Sequence, residues 1–267
     1  MVVHMKPLII NLAFIMLGTS LFAHDHADLL KKLPEGYIQK ENLPNSVAIV
    51  PKAPTPGSPR QKLDDAIAAA AIKLNKTARF KLAAQDADLH FPQAPNNFAC
   101  AMGKVISKEK TPRLYQLLKR AGVDAGLATS KAKHAYNRMR PFTLNNAPIC
   151  TPELEQALRK DGSYPSGHTS LSWAWALILS ELLPEKANTI LERGVAYGES
   201  RIICNVHWYS DVLAGRMMGA SSVALMHDNP EFIEDMKEAK AELANAPAPD
   251  LEMCKTEAEA LSITLFP

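Results

Sequence analysis

Proline placement restricts this chain more than any other feature. Pro112, Pro152, Pro184 and Pro230 stand at the starts or boundaries of stretches whose apolar residues recur every three or four positions. Proline has no backbone N–H and breaks a helix interior, but its fixed φ suits a first turn. The four prolines therefore punctuate helices, predicted at about 112–122, 129–139, 152–160, 168–183, 185–204, 210–227 and 230–245. Upstream, Leu63, Ile67, Ala71, Leu74, Ala78 and Leu82 form one apolar stripe, which predicts a single long helix from Arg60 onward. Alternating β-branched runs are almost absent, and "SVAIVP" is the only candidate strand. The expected fold is all-α, a single compact multi-helix domain over residues 60–267. Ahead of it, Pro34, Pro44, Pro51, Pro54, Pro56 and Pro59 mark residues 24–59 as a proline-rich arm, extended over a surface or partly disordered.

The first 23 residues read differently. "MKPLIINLAFIMLGTSLFA" has one lysine, an apolar core from Leu8 to Phe22, and Ala23 at a cleavage point. That is the pattern of a secretory signal, too short and too poorly flanked for a membrane span. "LSWAWALILSELL" is also too short to span, and the run from Val212 to Met226 is interrupted by Arg216. The expectation is a periplasmic or secreted protein with no membrane span. There, Cys100, Cys150, Cys204 and Cys254 are expected to pair, and their wide spacing offers no zinc or redox motif. The formal net charge of +2 falls further when Lys6 is removed with the signal, so no nucleic-acid-binding surface is implied.

Three clusters carry chemistry. In "KHAYNRMRP", Lys133 and Arg140 lie seven apart, so two helical turns would place both cations on one face, with Pro141 closing the helix behind Arg140. In "GSYPSGHTS", Pro165, Ser166, Gly167 and His168 precede a long apolar run, where free N–H groups at a helix start suit an anion. In "SRIICNVHWYSD", Ser200 and Arg201 precede His207, and Asp211 lies four residues beyond. On a helix Asp211 would accept the imidazole Nδ1–H and leave Nε2 bare for attack. Each cluster alone has an ordinary reading: a solvated basic face, a capped helix start, a surface ion pair. Together they have one reading, because a phosphate dianion needs cations and N–H donors, and its transfer needs a nucleophile and an acid.

The order Lys-x6-Arg-Pro, Pro-Ser-Gly-His, Ser-Arg-x5-His-x3-Asp matches the signature of the type 2 phosphatidic acid phosphatase and vanadium haloperoxidase superfamily. Within it the chain resembles the bacterial class A nonspecific acid phosphatases, through "GSYPSGHTS", "ILERGVAYGESRIICNVHWYSDV" and the secretion signal. The resemblance implies an all-helical fold, no metal or other cofactor, phosphate monoester substrates and a homo-oligomer. It implies His207 as nucleophile oriented by Asp211, His168 as general acid and then base, and Lys133, Arg140, Ser166, Gly167 and Arg201 as phosphate-binding residues. A haloperoxidase or a lipid or isoprenoid phosphate phosphatase of the same superfamily is the alternative, and a non-catalytic exported phosphate-binding protein a third. Three disulfide connectivities are open to four cysteines. Cys150 and Cys204 both flank the motifs, which favours Cys150–Cys204, with Cys100–Cys254 by elimination.

Hydrolysis is expected to survive dialysis against EDTA, and vanadate is expected to inhibit because its five-coordinate adduct mimics the transition state. Activity lost to EDTA and restored only by a divalent ion would overturn this reading.

Overall fold

Among the described residues, ten helices of five or more residues follow one another and no strand occurs. A computed structural model describes residues 34–266, so the expected signal at 1–23 lies outside the described residues. The helices are α1 (Pro59–Ile72), α2 (Ala78–Gln85), α3 (Pro112–Leu127), α4 (Ser130–Tyr136), α5 (Pro141–Asn145), α6 (Gly167–Leu182), α7 (Ala187–Ile203), α8 (Tyr209–Met226), α9 (Pro230–Leu243) and α10 (Leu251–Leu261). Pro59, Pro112, Pro141 and Pro230 each occupy the first turn of a helix. Pro152 and Pro184 open short 3-10 turns instead.

Four expectations require correction. The single apolar stripe from Arg60 is two helices, because Lys76 takes a left-handed φ of 67° and Thr77 starts a new helix by accepting from the Phe80 amide. The helix expected over 129–139 stops at Tyr136, where Asn137 turns left-handed with φ 39°. Arg140 consequently sits at the N-cap of α5 in extended conformation, not at a helix C-terminus; the residue before a proline is pushed out of the α region. "SVAIVP" contains a single helical turn, Ser46–Ile49, and no strand.

The proline-rich segment from residue 35 belongs to the same unit as the helices. Asp124 of α3, buried among apolar neighbours, accepts the amides of Tyr37 at 2.6 Å and Ile38 at 3.2 Å. The Tyr37 hydroxyl donates to Asp235 at 2.5 Å, and the Arg120 guanidinium lies 3.9 Å from the Tyr37 ring centroid. Ser46 Oγ accepts the Ala132 amide, and the Tyr164 hydroxyl donates to the Pro51 carbonyl.

The core centres on α6, which packs against α3, α7 and α8. Leu114, Leu117, Leu118, Trp175, Leu179, Phe232 and Met226 are buried together, with the Trp175 indole N–H donating to the Leu118 carbonyl. Trp175 is thus a core residue, and burying such side chains supplies roughly 2–3 kcal/mol each. Two disulfides close the structure, Cys100–Cys254 and Cys150–Cys204, the pairing that the flanking positions favour.

The closest helix contact sets the start of α6. A Cβ at Gly219 of α8 would lie 2.4 Å from the Ser170 carbonyl oxygen, and one at Gly215 would lie 2.6 Å from the Ser166 carbonyl oxygen. Only glycine lets α8 approach the turn that contains Ser166 and His168. Gly215→Ala is expected to destabilise the protein by about 1–3 kcal/mol through overpacking against backbone, and to lower activity by displacing that turn. Thermal melting and turnover measured together check this, and a variant that melts and turns over like wild type would contradict it.

Candidate active site

The two halves of the site enter from opposite ends of helices. Ser166 is the N-cap of α6, its hydroxyl accepting from the Thr169 amide at 3.2 Å, while Ser166 N–H donates to the Asp211 carbonyl at 3.0 Å. Capping at Thr169 leaves the amides of Gly167 and His168 outside the helical ladder, where an oxyanion can accept them. Arg201 lies in the last turn of α7, and the chain then turns through Asn205, at φ 60°, to bring His207 back beside it. The His207 amide donates to the Arg201 carbonyl at 3.2 Å.

His207 and Asp211 do meet, but not on one helical turn. His207 precedes α8, and Asp211 is its N3 residue, whose carboxylate accepts the Trp208 amide at 2.9 Å. The other contact of that same oxygen, Oδ2, is His207 Nδ1 at 3.3 Å. On the opposite side of the ring, Arg140 Nη1 lies 3.1 Å from Nε2. A guanidinium can only donate, so Nε2 carries a lone pair and Nδ1 the proton directed at Asp211. That is the tautomer a nitrogen nucleophile needs. His207 is 2% exposed, and burial followed by the charges of Arg140, Lys133 and Arg201 holds its pKa well below the usual histidine range.

His168 has the complementary arrangement. Its Nε2 lies 3.1 Å from the Ala87 carbonyl, which can only accept, so Nε2 carries the proton and Nδ1 is the nitrogen free to exchange one. Burial, then the charges of Arg201, His207 and Arg140, push its pKa well below the usual value, partly opposed by the Ala87 bond.

Lys133 and Arg140 converge on the Asp161 carboxylate. Arg140 is held by three carbonyls: Nε donates to Leu158 at 3.0 Å and Asp161 at 3.1 Å, and Nη1 to Val206 at 2.9 Å. Lys133 Nζ donates to the Gly162 carbonyl at 2.5 Å. Gly162 permits this approach, since a Cβ there would lie 2.8 Å from the Lys133 carbonyl. Arg201 is 1% exposed, burial lowers its pKa to about 10, and its Nε is buried without a partner. An unpaired buried guanidinium N–H is costly unless an anion takes it.

Sequence reasoning missed the residues that support these groups. Arg138 donates from Nη1 to Asp211 Oδ1 at 2.6 Å and from Nη2 to Asp64 Oδ2 at 2.7 Å, so its charge opposes the burial that raises the Asp211 carboxyl's pKa. The signal was present: Pro141 forces an extended Arg140, and side chains two apart in extended chain share a side. Asp86 pairs with Arg193 at 2.5 Å and accepts from Ser200 Oγ at 2.6 Å, which fixes the turn carrying Ala87. No local pattern marks Asp86. Trp208 is buried, donating to the Met139 carbonyl, whereas Tyr209 is half-buried against Phe266. Among the described residues, no group of three or more His, Cys, Asp or Glu is placed to hold a metal ion, and no helix is long and apolar enough to cross a membrane.

The helical fold and this cationic, two-histidine centre define a class. The chain belongs to the PAP2 superfamily, whose sequence pattern matches residues 121–232. Relatives within it are named acid phosphatases. An acid phosphatase of Zymomonas mobilis is 43% identical over 78% of this chain and 80% of its own length. A non-specific acid phosphatase of Providencia stuartii is 39% identical over 90% of this chain and 98% of its own, and one of Salmonella typhimurium 38% identical over 74% and 80%.

Burial and neighbouring cations depress the pKa values of both histidines. A bound oxyanion offsets those cations and raises the pKa values, so binding takes up protons and tightens as pH falls toward the ordinary histidine range. Sulfate, which does not titrate there, is the probe. Calorimetric titration in buffers of different ionisation enthalpy is expected to show net proton uptake, and net release would contradict the assignment.

Proposed function

We propose that this protein hydrolyses phosphate monoesters of broad range, as an acid phosphatase working through a phosphohistidine and without a metal. The observation that carries the reading is His207, whose Nε2 faces Arg140 while Nδ1 faces Asp211, beside the unpaired guanidinium N–H of Arg201.

In the first step the His207 Nε2 lone pair attacks phosphorus in line with the ester oxygen. The P–O bond breaks, and the leaving alkoxide takes the proton from His168 Nδ1. Lys133, Arg140, Arg201 and the amides of Gly167 and His168 hold the three equatorial oxygens as charge spreads over them, with Ser166 fixing that turn. In the second step water attacks phosphorus and gives a proton to His168 Nδ1. The P–N bond breaks, its electrons return to His207 Nε2, and phosphate leaves. Asp211 holds the ring during both steps and stabilises the positive charge it carries when phosphorylated.

The acidic working range has a physical cause on this reading. His168 must hold a proton that burial and the surrounding cations disfavour, and substrate charge together with low pH restores it. We further infer export directed by residues 1–23 and assembly into a homo-oligomer. The two disulfides suit an oxidising compartment.

Mass-spectrometric mapping of acid-quenched enzyme tests the roles. His207→Ala is expected to abolish turnover and any trapped phosphohistidine. His168→Ala is expected to slow alkyl phosphates by about 10²–10⁴-fold and aryl esters with good leaving groups much less. Phosphate found on His168, or turnover surviving in His207→Ala, would exchange the roles.

A further inference from the structure

One acidic side chain stands inside the cationic cluster, and the catalytic steps make no use of it. Asp161 Oδ2 lies 3.0 Å from Lys133 Nζ and 2.8 Å from Arg140 Nη2, bridging two of the cations assigned to the phosphate. Arg140 is the same guanidinium whose Nη1 reaches His207 Nε2. The carboxylate thus neutralises the donors that a phosphoryl group on His207 would use.

The three partners are not equally fixed. The side chains of Lys133 and Arg140 are 13% and 3% exposed, whereas that of Asp161 is 51% exposed. Arg140 keeps three carbonyl acceptors besides the carboxylate, from Leu158, Asp161 and Val206, and Lys133 keeps the Gly162 carbonyl. The cations are therefore placed by backbone, and the carboxylate is the solvent-exposed member of the cluster. A group that only positioned the cations would be the buried one.

We propose that Asp161 is a resident competitor for the phosphate position: its carboxylate pairs with Lys133 and Arg140 before substrate binds, yields to substrate, and returns as phosphate departs, which sets phosphate affinity low and speeds product release. The inference rests on the phosphatase reading for the identity of the anion and goes beyond it in assigning the residue that sets anion affinity. Swinging out separates like charges, since a carboxylate beside a phosphate dianion is repelled. Swinging back supplies the counter-charge that the departing phosphate removes. Asp161 acts through Lys133 and Arg140 and touches no reacting atom, so its effect belongs in KM and in product inhibition more than in the chemical step.

Asp161→Asn keeps the shape and removes the charge, and Asp161→Ala removes the side chain while leaving the carbonyl that holds Arg140 Nε. Inorganic phosphate binding is measured by calorimetry on the whole protein, alongside KM, kcat and the phosphate inhibition constant for an aryl phosphate. Both variants are expected to bind phosphate about tenfold more tightly than wild type, since a charge a few ångströms away is worth on the order of 1 kcal/mol or more at a half-exposed site. KM and the inhibition constant fall in parallel. Melting curves with and without phosphate show whether each variant is folded, and the half-exposed position makes loss of fold an unexpected result for both. Phosphate binding that is unchanged or weaker in folded variants, or both variants failing to fold, would make Asp161 a structural or positioning residue and overturn the proposal. Failure of the phosphatase reading shows separately, as wild-type protein that neither binds phosphate nor hydrolyses the ester.

Discussion

Two segments of the chain meet on the Arg138 guanidinium, and a third meets its backbone carbonyl. Its two amino groups bind Asp211 and Ser210 at the start of α8 and Asp64 and Gln61 on α1, while its carbonyl accepts the Ser163 amide. Asp64 in turn accepts the Ser210 amide and hydroxyl, so each carboxylate oxygen has a donor. Buried charges are tolerated only when paired and fully hydrogen-bonded, since removing one partner leaves an uncompensated ion. The network therefore admits one arrangement of α1, the 137–140 linker and α8. That arrangement is the one in which Asp211 reaches His207.

The site built on this frame is positive by design and neutral at its histidines. Burial, and with it the charge of Arg140, lowers the proton affinity of Lys133 and Arg201, and burial with the charges of Arg140 and Arg201 does the same to both imidazoles. Only an anion relieves that crowding. Asp161 supplies part of that relief to Arg140, and the buried Nε of Arg201 has no partner. The two rings are distinguished by what holds them: a carboxylate at Nδ1 of His207 stabilises a positively charged ring, whereas a carbonyl at Nε2 of His168 fixes the tautomer without stabilising the cation as strongly. On the proposed mechanism the first ring carries the phosphoryl group and the second passes the proton back and forth.

Fold and site are coupled through small residues. Gly215 and Gly219 let α8 lie against the start of α6, and the Ser166 amide completes the contact by donating to the Asp211 carbonyl. The Cys150–Cys204 disulfide ties the loop after α5 to the end of α7, one turn beyond Arg201. Much of the stability is thus spent near the chemistry, and the surrounding core of Trp175, Leu117 and Phe232 keeps α3, α6 and α9 from adjusting independently.

The sequence by itself determined the helical class, because proline punctuation and a three-to-four residue apolar period leave no room for a sheet. It also singled out Lys133, Arg140, Ser166, Gly167, His168, Arg201, His207 and Asp211 as one set, through a charge pattern that a single anion explains. Local rules were enough for this, as each motif acts over a dozen residues or fewer. What failed were statements about conformation between motifs: Lys133 and Arg140 share no helix, and Asp211 reaches His207 as a capping residue. Left-handed turns at Lys76 and Asn137 ended helices that periodicity alone would continue. Only the tertiary structure decided the partners that set protonation and charge, namely Arg138 with Asp64, Ala87 with Asp86 behind it, and Asp161. They come from 21 to 146 residues away along the chain from the groups they serve, or are backbone atoms that no side-chain pattern can mark. Their selection depends on burial, and burial is a property of the packed molecule.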